Sequence, residues 1–317
     1  MSPAPDDAPA APIAPPDPPP ARFAAAVGML LLAVFLLSLM GMLVKLLSDR
    51  YGAAELGAWR NMIGMIPSTI MLFLAADWRA RGRPLKLRTW KLALLRGCFV
   101  TVAQFLYYLG LHHLEFATAS TLTFTGPIFV TALGMVVLGT RVGPWRWFAV
   151  AVGFAGVVWI MQPGSDAFTL AALLPLGAAF GYACSSVTAP LLDREAPTAL
   201  INLYSAAAAV VGALLLAVAT DGMHWPADWA DFGLILLMGC TGGLGVLALV
   251  SAYRLAPPPL VSPFEYTGIL YALALGWLVF GEAPLERLFP GALLIVAAGL
   301  IIAWRERRKR GARGGAA

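Results

Sequence analysis

Apolar residues fall in long uninterrupted runs along this chain rather than alternating with polar ones. Met29–Val44, Ile128–Leu138 and Tyr271–Phe280 carry no charge at all. A helix needs about 20 mostly apolar residues to cross a bilayer. The runs predict ten such helices: Ala24–Leu47, Ala54–Ala76, Leu92–His112, Phe116–Leu138, Trp145–Met161, Leu170–Leu191, Ala199–Ala219, Ala230–Ala256, Leu260–Phe280 and Leu288–Trp304. The expected fold is all-α and integral to the membrane.

Composition sharpens this picture. Of 317 residues, 60% are hydrophobic and 12% charged, against roughly 25% charged in an average soluble domain. So few charges cannot cover a water-facing surface. Met1–Ala21 is almost entirely Pro, Ala and Asp, which predicts a disordered tail rather than a signal peptide. Cys98, Cys184 and Cys240 fall in apolar runs without a CxxC and read as small packing residues.

The net charge of +5 has a topological rather than a nucleic-acid reading, because the bases cluster beside membrane segments. Arg79, Arg81, Arg83, Lys86 and Arg88 lie between the second and third helices. Arg141 and Arg146 follow the fourth. Arg305, Arg307, Arg308, Lys309, Arg310 and Arg313 end the chain. The intervening loops 112–115, 162–168 and 220–229 are poor in bases. Positive-inside alternation then puts both termini in the cytoplasm of a multi-pass inner-membrane protein, which an even number of helices allows.

The chain also repeats itself. At an offset of 142, Gly97-Cys98 falls on Gly239-Cys240, Ser120 on Ser262 and Thr125-Gly126 on Thr267-Gly268. Ala132-Leu133-Gly134 falls on Ala274-Leu275-Gly276, Val137 on Val279 and Gly139 on Gly281. One residue further along, Gly156 falls on Gly299. Two repeats are expected, over 22–162 and 168–304, followed by a basic cytoplasmic tail at 305–317. Each holds five helices, an odd number, so the second must insert upside down. Inverted repeats with a site between the halves are a common transporter plan.

Four segments carry a family resemblance. They are Glu55-Leu56-Gly57-Ala58-Trp59-Arg60-Asn61, then Arg96–Leu114 followed by Glu115-Phe116-Ala117-Thr118-Ala119, then Phe124-Thr125-Gly126-Pro127 running to Leu138-Gly139 and on to Trp145-Arg146-Trp147 and Gly153–Gly156. The fourth is Ser262-Pro263-Phe264-Glu265-Tyr266 running to Phe280-Gly281-Glu282. In their order and spacing they resemble the drug/metabolite transporter superfamily, with its paired EamA-type domains. The resemblance implies a ten-helix permease for a small organic solute. Where the family often has Gly-Glu, the first repeat has Gly139-Thr140, and only the second keeps the acid, Glu282.

A charge inside a span needs a partner or water. Glu265 lies roughly 8 Å inside the ninth helix, and Arg96 lies at a similar depth in the third, at 1.5 Å rise per residue. They are expected to face one cavity or to pair, fixing helix packing or binding and coupling to solute. Arg60 enters from the opposite face, roughly 9 Å deep by the same rise. It either snorkels or satisfies helix-end carbonyls, or it attracts an anionic substrate group from the periplasmic mouth. Lys45 is expected to snorkel toward the interface. Among uncharged polar residues, Gln104, Tyr107, Tyr266 and Tyr271 are candidates to line the path. Pro127 and Pro263 are expected to kink the fourth and ninth helices.

HExxH, GxSxG and GxxxxGK[ST] are absent from the sequence. His112 and His113 are adjacent and point to different helix faces, so no metal pair is expected, nor any cofactor. Gly239–Gly245 lies within an apolar run, not after a strand, and does not read as a phosphate loop. Without an ATPase site, transport would draw on an ion gradient, a proton gradient included, or on solute exchange. The leading reading is a secondary transporter of a small organic metabolite working by alternating access. An intramembrane enzyme or lipid-handling protein is the alternative, for which convergent His, Asp, Glu or Ser in one leaflet are too few. Expected partners are the solute and the bilayer, with no nucleic acid. A homodimer stays open.

Overall fold

The computed structural model describes residues 20–314, except 75, 81, 83–84, 139–143, 162–168, 189–190, 193–197, 221, 257–260 and 283–284. The predicted tail lies almost wholly outside them, as do the loop at 162–168 and the Gly139-Thr140 pair. Among the described residues the chain is helical, with no strand. The helices are α1 (Pro20–Leu47), α2 (Ala53–Leu74), α3 (Ala76–Ala80), α4 (Trp90–His113), α5 (Phe116–Thr123), α6 (Gly126–Leu138) and α7 (Pro144–Met161). After them come α8 (Leu173–Thr188), α9 (Thr198–Ala219), α10 (Trp229–Leu255), α11 (Thr267–Phe280), α12 (Leu285–Leu288) and α13 (Gly291–Gly314).

Six helical stretches are long and apolar enough to cross a membrane: Ala21–Leu47, Trp90–His113, Phe116–Gly134, Leu170–Thr188, Leu200–Ala219 and Trp229–Tyr253. Trp147–Met161, Phe264–Phe280 and Gly291–Ile301 are apolar but shorter. The predicted second span, α2, is not among these stretches; it carries Glu55, Arg60, Asn61 and an internal Pro67. The surface fits a hydrocarbon solvent. Leu74, Val136, Leu215, Val218, Leu270 and Leu278 are each at least 63% exposed, an outer face no water-soluble protein would carry. Cys98, read as a packing residue, is on this exposed side, while Cys184 and Cys240 are half-buried.

Three predicted helices differ in form. The fourth is broken at Phe124-Thr125 into α5 and α6. Pro127 sits in the first turn of α6 and lacks the amide hydrogen that would reach the Thr123 carbonyl, so the chain ends one helix and begins another. The ninth opens as a 3-10 turn over Ser262–Tyr266, with Pro263 in its first turn, and becomes α-helical only at Thr267. The tenth does not stop at Trp304. Its helix continues to Gly314 because the Arg, Glu and Lys beyond the membrane segment are good helix formers.

Packing joins the two parts of the chain throughout. α1 runs along α10 and α4 along α8. α4 also packs on α9, and α2 on α10. α6 meets α8, and α1 meets α11. α2 meets α9, α5 meets α11, and α7 meets α13. One core cluster holds Met40 of α1, Leu56 of α2, Tyr108 of α4, Phe116 of α5 and Met238 of α10. Helix–helix association in lipid draws on close van der Waals contact rather than on water exclusion, so small residues mark the crossings. A Cβ at Gly97 would strike the Ser205 carbonyl of α9. A Cβ at Gly239, its partner at offset 142, would strike Ile63 of α2.

Candidate functional site

Arg60 lies two turns inside α2 and points toward α1 and α10. Its Nε donates to Met40 Sδ at 3.4 Å, and its Nη1 donates to Asn61 Oδ1 at 2.9 Å. Asn61 Nδ2 in turn donates to Gln104 Oε1 of α4 at 2.7 Å. Room for the guanidinium comes from α10, where a Cβ at Gly242 would lie 2.9 Å from Arg60 Nε. Asn61 and Gln104 are buried, at 3% and 5% exposure. A narrow crevice lined by Gly57, Thr101, Gln104 and Ala213 runs between α2, α4 and α9 without holding a solute-sized space.

Aromatic groups stand beside this polar run. Tyr107 Oη and Ser120 Oγ of α5 are 3.1 Å apart. The Tyr107 and Tyr108 rings have centroids 6.0 Å apart. Tyr108 is 1% exposed, and its hydroxyl has no hydrogen-bond partner among the described residues. The hydroxyl of the fully buried Thr121 is in the same state.

Glu265 belongs to a different place. It sits in the 3-10 turn that opens the ninth span and accepts a hydrogen bond from the Tyr253 hydroxyl of α10. Tyr266 packs against Phe124 with ring centroids 6.0 Å apart. Tyr271 meets Phe35 of α1 edge to face at 5.5 Å. Arg96 does not pair with Glu265, the direct contact the sequence suggested. Its Nε donates to the Ser185 carbonyl of α8 at 2.9 Å. Ser185 lies in the last turn of α8, where carbonyls lack intrahelical partners and attract cations. The structure thus joins Arg60 to Gln104, with Tyr107 a turn away, and leaves Glu265 and Arg96 with separate partners.

At the other end of the bundle is a layer of ion pairs that sequence reasoning did not assemble. Lys45 does not snorkel. Its Nζ is 2.7 Å from Glu282 Oε1 and donates to the Leu114 carbonyl at 2.6 Å. Glu282 Oε2 accepts from the Phe116 amide at 2.7 Å, so one carboxylate holds α1 and the start of α5. The turn that aims it back follows Gly281, whose φ of 67° suits glycine. Arg50 pairs with Asp231, which also accepts from Tyr51 Oη at 2.8 Å. Asp231 follows Asp228, whose carboxylate caps α10 by accepting from the Asp231 amide at 2.8 Å. Glu55 accepts from the His224 amide at 2.6 Å. The sequence signal was present in part, since Glu282 is the acid retained in one repeat only. The three-way meeting of Lys45, Glu282 and residue 116 has no sequence signature.

Comparison with known proteins follows the same lines. The model of the family described as "EamA-like transporter family" matches residues 24–162 and 169–304. A riboflavin transporter of Rhizobium johnstonii is 37% identical over 202 residues, 63% of this chain and 66% of its own length. The aligned part therefore spans just under two thirds of that relative. A pseudopaline exporter of Pseudomonas aeruginosa is 29% identical over 281 residues, 88% of this chain and 95% of that protein. A protein of known crystal structure superposes with a TM-score of 0.62 at 18% identity, covering 90% of this chain and 98% of that one, a likeness of fold.

Proposed function

On the premise that the chain belongs to the EamA-like transporter family, and so is a multi-pass membrane protein of the drug/metabolite transporter superfamily, we propose that it is a secondary transporter. It moves a small organic metabolite across a bacterial inner membrane by alternating access. Both termini face the cytoplasm, as the basic segments at 79–91 and 305–313 require. Ten helices form two inverted five-helix repeats, with the solute path between them.

The observation that carries this reading is the meeting of Phe124 with Tyr266. These residues are 142 apart, the repeat offset, and their rings stand 6.0 Å apart. A residue touches its own symmetry mate only near a two-fold axis. The local backbone agrees on both sides. Thr125 Oγ1 donates to the Leu122 carbonyl at 2.7 Å, and Thr267 Oγ1 donates to the Phe264 carbonyl at 2.7 Å. Both repeats therefore interrupt the helix at matched positions. Discontinuous helices at the repeat interface are where transporters of this plan build their sites. The helix pairs match too: α1 on α10 answers α8 on α4, and α4 on α9 answers α10 on α2.

Relatives named for riboflavin and for pseudopaline export support a small organic solute and leave direction open. Gln104, Tyr107 and Arg60 are assigned to the solute path, and Tyr266 to the axis between the repeats. Tyr271 braces α11 against α1. Glu265, held by Tyr253, is the coupling carboxylate, and Arg96 ties α4 to α8. Reconstituted protein should carry solute faster when a proton gradient is imposed. Glu265→Gln should retain solute exchange but lose most of the gradient-driven rate. An unchanged pH dependence in this variant would remove Glu265 from coupling.

A further inference from the structure

We propose that Arg60, Gln104 and Tyr108 form the subsite for an anionic group, and that the transported solute is an organic acid whose carboxylate docks there with an aromatic or planar body beside it. This rests on the transport reading above and narrows its solute.

Arg60 differs from the neighbouring cations in what it lacks. Lys45 faces Glu282, Arg50 faces Asp231, and Arg96 faces a helix C-terminus. Arg60 faces a thioether and an amide, with no carboxylate partner among the described residues. A cation within a span without an acid is costly unless something transient neutralises it.

The hydrogen-bond direction adds to this. A guanidinium can only donate. Asn61 Oδ1 must therefore accept from it, so Asn61 Nδ2 donates, and Gln104 receives through Oε1. Among the described residues, the Gln104 amide hydrogens and Arg60 Nη2 donate to no acceptor. Tyr108 supplies an independent sign. Its ring is buried, its hydroxyl has no partner among the described residues, and it lies one turn from Gln104 on the same face of α4. The unspent guanidinium and amide hydrogens can only donate and the Tyr108 hydroxyl can donate too, so one acceptor would satisfy all three. One guanidinium with neutral donors suits a monoanion, which favours a carboxylate over a phosphate dianion. Tyr107 and Tyr108, whose ring centroids stand 6.0 Å apart, offer ring faces for the rest of the solute. A few convergent polar groups beside aromatic walls is the usual make-up of a small-molecule site.

The test uses full-length protein in proteoliposomes, incubated with a small-molecule extract of bacterial cells. Retained solutes are identified by mass spectrometry against protein-free liposomes. The expected retained set is dominated by ring-bearing carboxylic acids, with Arg60→Gln lowering their retention at least tenfold and Tyr108→Phe several-fold. Tyr108→Phe removes a hydroxyl with no protein partner, so its melting temperature should hold or rise; a structural hydroxyl would lower it. A retained set of neutral or cationic solutes, or of phosphate esters without a carboxyl, overturns the inference and leaves transport standing. So does undiminished retention of acids by Tyr108→Phe and a folded Arg60→Gln. Retention of nothing above the protein-free control overturns the transport reading, and this inference with it.

Discussion

Lys45 shows most clearly how partners decide a charge. From sequence it is a lysine near a span end, where the long stem ordinarily carries its ammonium to water. In the structure its side chain is 14% exposed and that of Glu282 18%, so the pair is shielded and satisfied by two backbone groups as well. Removing one partner of such a pair strands the other, at a cost of about 3 kcal/mol, whereas replacing both with apolar residues of similar volume is close to neutral. Lys45→Met and Glu282→Met should each lower the melting temperature clearly, and the double variant should recover most of the loss. Equal and additive losses would show that the two residues do not act together. Arg96 makes the complementary point. Its depth was legible, but its acceptor, the Ser185 carbonyl, is a backbone atom that no residue pattern advertises.

At the level of elements, the apolar runs located nearly every helix to within a few residues. They missed the interruptions at Phe124-Thr125 and Ser262–Tyr266 as breaks, because hydropathy is blind to whether a turn is α or 3-10. The prolines marked both places, Pro127 just beyond the first interruption and Pro263 inside the second. Glycine spacing was more informative. Gly97 and Gly239 are matched in sequence, and each lies under a crossing helix, α9 in one case and α2 in the other. Gly97→Val should force α4 from α9 and destabilise the protein by about 2 kcal/mol, the usual scale of overpacking. Thermal denaturation in detergent reads this directly. Gly126, where a Cβ would meet nothing within 4 Å, is the control, and Gly126→Ala should be close to neutral.

For the whole molecule, the proposed two-fold relation makes a prediction that individual helices do not. If Phe124 and Tyr266 lie at the axis, a Phe124→Cys/Tyr266→Cys variant, made in a background lacking the three natural cysteines, should crosslink intramolecularly with a short bifunctional maleimide. Phe124→Cys with Leu278→Cys, whose side chain is 70% exposed on the outer face, should not. Crosslinking of both pairs alike would argue against an ordered axis.

The chain by itself determined its solvent, its helical class, the offset between its halves and the family it belongs to. These follow from properties summed along the sequence: hydropathy over some 20 residues, bases counted loop by loop, and Gly, Ser and Thr recurring at a fixed interval. Only the tertiary structure decided which charges meet. It gave Glu265 to Tyr253, Arg96 to a helix end and Lys45 to Glu282, and it left Arg60 on the neutral acceptors Met40 and Asn61. The reason is one of range. A hydrogen bond is settled over about 3 Å, and in a helix bundle the groups that close to that distance come from segments near opposite ends of the chain, as Lys45 and Glu282 do.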